Sequence, residues 1–320
     1  MSHGSPGGAQ RFDERDTVFA RMARRAGTPE YEDYYSRRPE LRKADDRLRS
    51  LPALGCPGGR HYHPEISAEA ERYFEDIPGL EPDPAVVARG ARELEAAEDP
   101  ASAVKALALE LGAVAVGCAL VDPAFVYTHK GRHDADYGRE VSLHHPHAIV
   151  FLVEMDFDAM QRAPRAETLR ESARQYRRGA VISKTVVAVL EACGCEARSH
   201  HDAHYDVILP PLAVRAGLGE LGRHNILIAD RFGTRVRIGA VTTTPGAPPG
   251  FPLSEKAFPG FTHRGAPVTF LGSFAKGRLS CSGAALFHVR AVRDSGRNAA
   301  REDLRCGHRW GTEAVKRDRL

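Results

Sequence analysis

The period of the apolar positions changes along the chain, and the elements follow from it. From Asp13 to Leu51 charged residues and tyrosines dominate without a sustained apolar stripe, so the stretch reads as an arm that buries little and lies over another surface. Ser67–Asp76 (SAEAERYFED) has the spacing of a short helix, with Ser67 as N-cap and Glu69 and Glu71 in the first turn. Asp83-Pro84 is a cap followed by proline at the first helical position. It predicts a helix to about Glu98, and Pro100–Leu111 predicts another. Ala113–Val121 and Ala148–Met155 are short apolar runs bounded by turn residues, the pattern of buried strands. The segment between them, VDPAFVYTHKGRHDADYGREVSLHHPH, is long and polar, and a loop of that length in a compact domain is usually functional. The strongest helical pattern runs from Ala166 to Ala192, with Leu169, Ala173, Tyr176, Ala180, Val187 and Leu190 on one stripe. Ile226–Ala229 and Thr234–Thr243 read as strands joined by a turn at Arg231-Phe232-Gly233. Helices and strands alternate, so the fold class is α/β or α+β around a buried sheet.

Composition narrows the class. With 320 residues, 42% hydrophobic and 27% charged, the chain suits one large or two modest globular domains. The longest uncharged apolar stretch, Leu111–Val121, falls well short of the roughly 20 residues a membrane helix needs, so no span and no membrane partner is expected. Six cysteines are too few for a disulfide framework and fit a reducing compartment. Arg24-Arg25 is followed by polar residues, so it reads as a solvated helix end rather than a translocation tag, and a cytoplasmic location is expected. Residues 1–10 are Gly/Ser-rich and expected to be disordered. Charge is uneven. Residues 246–320 carry 13 Lys/Arg against 6 Asp/Glu, whereas residues 1–245 are net negative. The tail's basic residues are scattered singly, without the runs or aromatic interleaving of a nucleic-acid surface, so no nucleic-acid partner is expected. Its apolar residues keep no period, which predicts an irregular, poorly packed segment. Three regions result: an N-terminal arm and helices over 1–100, a core over 101–245, and an atypical tail over 246–320.

Several clusters could carry chemistry. Gly217-Leu218-Gly219-Glu220-Leu221-Gly222 matches G-x-G-x-x-G, but a helix precedes it and a strand follows it, the reverse of a dinucleotide fingerprint. It reads either as a tight helix-to-strand turn or as backbone open to a large flat ligand. Cys193, Cys195, His200, His201 and His204 suggest zinc by type. C-x-C is not knuckle spacing, however, so a helix end at Gly194 followed by a strand is preferred and no metal site is assigned. His144, His145 and His147 likewise read as loop residues. Tyr176 lies on the apolar stripe of the long helix, where a phenol is either a core tyrosine or a proton donor with cations nearby to stabilise its phenolate. Arg235 and Arg237 alternate with Val236 and Ile238, giving a strand with one cationic face.

The run PPLAVRAGLGELGRHNILIADRFGTRVRIGAVTTT resembles the signature segment of the reductive dehalogenases, corrinoid enzymes related to epoxyqueuosine reductase. The resemblance extends to TPEYEDYYSRRPELRKADDRLRSLP, VYTHKGRHDADYG, HPHAIVFLVEM and ESARQYRRGA, and spans about residues 11–245. It implies a nitroreductase-like fold binding base-off cobalamin. It implies reductive removal of halide from a halogenated small-molecule substrate, with two electrons from an external donor and one proton. By the same resemblance Tyr176 is the proton donor and Arg237, with Arg235 as alternate, stabilises its phenolate. Gly217, Leu218, Gly219, Glu220, Gly222, Arg223 and Asn225 line the cofactor. The family continues into a module that binds [4Fe–4S] clusters. Here VTTTPGAPPGFPLSEK follows instead, and only Cys281 and Cys306 remain beyond it, so the cluster ligands are absent from that stretch. Arg outnumbers Lys 10 to 3 in the tail, as expected of a GC-rich region read out of frame. Two other functions stay open: a corrinoid-binding protein without turnover, truncated or frameshifted from the family, and an epoxyqueuosine-reductase-like enzyme.

Overall fold

The computed structural model describes residues 11–202 and 204–244. The expectations for residues 1–10 and for the tail from 246 lie outside the described residues.

The arm folds into α1 (Val18–Ala23), α2 (Pro29–Arg37) and α3 (Pro39–Arg49). Thr17 and Thr28 cap the first two by accepting from Ala20 N and Tyr31 N, and Pro29 and Pro39 open the second and third. The arm buries more than its polarity suggests, because Tyr31, Tyr34 and Tyr35 form a core of their own. Their hydroxyls donate to Asp46, Asp16 and Asp45, and Arg21 grips Asp45 at 2.7 and 2.9 Å. Tyrosine supplies apolar area while its hydroxyl finds a carboxylate, so a segment poor in aliphatics still closes a core that hydropathy does not register. Arg24 is a helix end, but a buried one rather than a solvated one. It donates to Ala20 O at 3.1 Å and to Gly131 O, and pairs with Asp134.

α4 (Pro64–Asp76) starts three residues earlier than expected. His63 takes the cap position, Pro64 is the first helical residue, and Ser67 lies buried inside the helix rather than capping it. α5 (Pro84–Ala96) and α6 (Pro100–Glu110) are capped by Asp83 and Asp99. β1 (Ala115–Leu120) and β2 (His147–Glu154) flank the long loop, which is pinned by short 3₁₀ turns at Pro123–Phe125 and Asp134–Asp136. α7 (Phe157–Gln161), α8 (Ala166–Ala192), β3 (Ala197–His200), α9 (Leu209–Arg215), the strand pair β4 (Glu220–Leu221) and β5 (Leu227–Ile228), and β6 (Val236–Thr243) complete the order.

The main sheet runs β1-β2-β6-β3 with every pairing antiparallel, which settles the mixed class toward α+β. Strands β2 and β6 are buried on both faces, so they read as continuous apolar runs. Ile149, Phe151, Val153 and Val241 face α5, α6 and α8, while Ala148, Val150, Leu152 and Ala240 face α9 and the β4–β5 pair. Phe151 fills the space over Gly239, where a Cβ would run into its ring. The buried side of α8 is broader than the expected stripe and includes Ile182, Val186 and Val189, because α4 and α5 cover the helix beside the sheet. One pairing differs from expectation. Leu227–Ile228 joins Glu220–Leu221 in a separate two-stranded sheet, and only the Ala229↔Gly233 bridge links the turn that leads to β6.

Candidate active site

A cavity of about 400 Å³ opens where β6 begins, between α8, the end of the β4–β5 turn, the long loop and the arm. Its volume suits a small organic molecule. Most of the wall is apolar, from Met155, Met160, Val207, Leu209, Val236 and Ile238.

Tyr176 and Arg237 meet in this wall. Tyr176 reaches it from the middle of α8, with its ring 5.9 Å from that of Phe74 on α4. Arg237 sits on the β6 face that looks toward α8, so its guanidinium lies 4.5 Å over the Tyr176 ring. Its Nη2 donates to Ser172 Oγ at 2.6 Å, one turn earlier on α8. Nε of Arg237 is buried with no hydrogen-bond partner, and the side chain makes no ion pair among the described residues. A buried cation held only by a hydroxyl and a π face is costly for folding. Arg235 is two residues away in another environment. It pairs with Glu154 at 2.6 Å, donates to Met155 O at 2.8 Å and stacks on Phe157, outside the cavity wall.

The glycine-rich turn is explained first by the chain itself. Gly219, at φ +151°, passes so close to Ile228 that a Cβ would meet its carbonyl oxygen, and the β4–β5 pairing depends on that approach. Gly217 follows α9, Leu218 packs on the core beneath the turn, Glu220 lies on β4, and Arg223 is exposed just after Gly222. Of the seven residues expected at a cofactor, Asn225 reaches the cavity, followed by Ile226 and Leu227.

The cysteine–histidine cluster divides between the core and a polar network. Cys193 and Cys195 are buried among apolar side chains. His200 Nδ1 accepts from Asp206 N at 3.2 Å, so Nε2 carries the proton and donates to Thr242 Oγ1 at 2.9 Å. Thr242 Oγ1 in turn lies 3.0 Å from His145 Nδ1. His147 belongs to β2 rather than to the loop before it.

Three wall residues carried no sequence signal of their own. Glu14 comes from the arm. Its Oε2 accepts from Gly131 N at 2.8 Å and lies 3.8 Å from Lys130 Nζ. Lys130 also donates to Tyr205 O at 2.6 Å and Asp206 Oδ1 at 3.1 Å, so arm and loop share one buried ionic hub. Arg132 stands between Phe19 and Tyr205, at 4.7 and 5.9 Å from their rings. Burial, with Asp202 and Tyr176 adding, pushes the Tyr205 phenol well above its ordinary range, against the pull of Arg132 and Arg237. The length of the loop marked it as functional, but neither period nor spacing distinguished Arg132 within it.

No protein-family model matches the chain. Tetrachloroethene reductive dehalogenases of Desulfitobacterium hafniense and Dehalobacter restrictus are 34% identical over 96 residues, which is 30% of this chain and 17% of theirs. Among solved structures, the catabolic reductive dehalogenase NpRdhA superposes with a TM-score of 0.50 at 23% identity, covering 74% of this chain and 31% of its own. A reductive dehalogenase structure described as suggesting a mechanism for B12-dependent dehalogenation matches to the same extent. NpRdhA has also been solved with 3-bromo-4-hydroxybenzoic acid. The chain resembles reductive dehalogenases in sequence and fold, and spans about a third of the length of these solved relatives.

Proposed function

We propose that this chain is the substrate-binding and proton-donating part of a cobalamin-dependent reductive dehalogenase with a nitroreductase-like core. The reaction is R–X plus two electrons and one proton, giving R–H and halide. Two electrons enter from an external donor, the carbon–halogen bond breaks, and the proton comes from a phenol. The observation that carries this reading is Arg237 over the Tyr176 ring, inside a mostly apolar cavity of small-molecule size.

The described residues suit the corrinoid as one wall rather than an enclosure. A cavity of about 400 Å³ accommodates the organohalide but not cobalamin, which is several times larger than a drug-sized molecule. Asn225, Ile226 and Leu227 are uncharged members of its wall, and in this reading a flat macrocycle rests against them. Bound there, the corrinoid would supply low-valent cobalt chemistry toward the carbon–halogen bond. The remaining work belongs to the chain. The apolar wall excludes water, Tyr176 Oη delivers the proton to the carbon that loses halide, and Arg237 stabilises the phenolate left behind. Arg237 favours this role, since among the described residues its charge meets a hydroxyl and a ring face but no carboxylate.

Equilibrium dialysis of the full chain against hydroxocobalamin tests corrinoid binding. Retention at micromolar protein is expected, and passage of all the cobalamin into the outer compartment overturns the proposal.

A second reading is a corrinoid-binding protein without turnover. It is favoured by the cysteines, because Cys118, Cys193 and Cys195 are buried in the core and the sequence beyond Thr244 has no cluster spacing. Retention of cobalamin without halide release under a strong chemical reductant would select it.

A further inference from the structure

Arg132 is a cavity cation that the proposed proton transfer leaves unused. It lines the same wall as Tyr176 and Tyr205, on the side of the arm and the long loop. Its guanidinium makes no hydrogen bond among the described residues. Its ion pair, Nη1 to Asp202 Oδ1, is 3.8 Å long, beyond hydrogen-bonding distance. Both partners are less than a fifth exposed, so the pair is not dissolved in bulk water. Phe19 and Tyr205 hold the guanidinium at 4.7 and 5.9 Å from their rings, which fixes its position while leaving its N–H groups undirected.

The charge that lines the cavity itself is unbalanced in one direction. The cavity wall contains two guanidiniums, Arg132 and Arg237, and one carboxylate, Glu14. Glu14 is already engaged by Gly131 N and Lys130. Beside Arg132, the Tyr205 phenol stays protonated, so its O–H can donate to an anion and it brings no negative charge of its own. A cation whose N–H groups make no hydrogen bond among the described residues, next to a neutral phenol in a mostly apolar cavity, is complementary to an oxyanion.

We propose that Arg132, assisted by Tyr205, binds an oxyanion carried by the organohalide, a carboxylate or a phenolate, and so orients the substrate in the cavity. That the anion is a substrate rests on the dehalogenase reading; the anion site itself does not. Arg132 acts as a specificity residue and makes no bond to the reacting carbon.

Calorimetric titration of the full chain with 3-chlorobenzoate and with its neutral isostere 3-chlorobenzamide separates this role from a structural one. The benzoate is expected to bind about tenfold or more tighter, the scale of one charge-assisted hydrogen bond. Arg132→Gln removes that preference and leaves benzamide affinity unchanged. Arg132→Lys restores part of it, since the charge returns without the planar fork. Arg235→Gln, outside the cavity, leaves it intact. If Arg132→Gln also loses benzamide and has therefore lost the cavity, Arg132→Lys and Tyr205→Phe decide, and each is expected to reduce the preference. Equal affinities for the two ligands, no binding of the benzoate, or an undiminished preference in these variants overturns the proposal. So does displacement of the benzoate by chloride at matching concentration, which would make the site one for the released halide. Cobalamin retention is read in a separate dialysis, so failure here and failure of the dehalogenase reading are distinguishable.

Discussion

Tyr176 and Arg237 are placed by two different periodicities, and neither alone identifies a site. The helical stripe puts Tyr176 on the inner side of α8, and the strand alternation puts Arg237 on the β6 face beneath it. Whether they touch depends on how α8 crosses the sheet, which no local pattern contains. Arg132 and Tyr205 were illegible for a related reason, since both sit in irregular segments where side-chain direction follows from tertiary contacts. Tyr176→Phe keeps the ring under Arg237 and is expected to retain cobalamin while lowering halide release by roughly 10²–10⁴-fold, as for loss of a general acid. Parallel dialysis and halide assays check it, and wild-type turnover in the variant would remove Tyr176 from the mechanism. His201 gives a prediction in pH. Burial, then Lys184 and Arg198, hold it down to about 4, against about 6.5 unfolded. Its folded pKa is depressed, so above pH 6.5 both states are neutral and stability is flat. Between pH 6.5 and 4 the unfolded chain takes up a proton the folded one refuses, and stability falls by roughly 2 kcal/mol at pH 5. His200, lowered further by complete burial, adds in the same direction. Urea unfolding at pH 7 and pH 5 should show the loss, and His201→Asn should flatten part of it.

Elements were legible where a long period or a cap announced them. The bounds of α8 match the sequence pattern, and Asp83 and Asp99 cap the helices their prolines open. The start of α4 is set by proline at the first helical position, which outweighs a serine three residues later, and the Ser67 hydroxyl has no hydrogen-bond partner among the described residues. The strand pair β4–β5 was misassigned because two-residue strands carry no period and pairing partners are chosen in space. Packing between elements gives a sharper test. Gly239 has no side chain because the Phe151 ring occupies that space between β2 and β6. Gly239→Ala is expected to destabilise by about 1–3 kcal/mol through overpacking. Phe151→Leu should recover part of that loss in the double variant, since the shorter side chain vacates the site. Additive effects in the cycle would mean that the two residues do not compete for one volume.

At the scale of the molecule, the arm is part of the site rather than an appendage. Phe12, Glu14 and Arg24 tie it to the loop through Thr128, Gly131 and Asp134, and Thr17 and Phe19 complete the cavity wall. Its tyrosine core hid this from hydropathy. Glu14→Ala removes the acceptor for Gly131 N and one partner of Lys130. Hydrogen exchange should then rise about tenfold or more at the amides of residues 14, 128 and 131 while β2 and β6 stay protected. Unchanged exchange at those amides would mean the hub does not hold the arm. Among the described residues no helix is long and apolar enough to cross a membrane. The chain spans about a third of the length of its solved relatives. The most direct test is chloride release from 3-chloro-4-hydroxybenzoate by the full chain loaded with hydroxocobalamin under a low-potential chemical reductant. Release that depends on the protein and is lost in Tyr176→Phe is the expected result. Release no faster than from free cobalamin under the same reductant contradicts a dehalogenase.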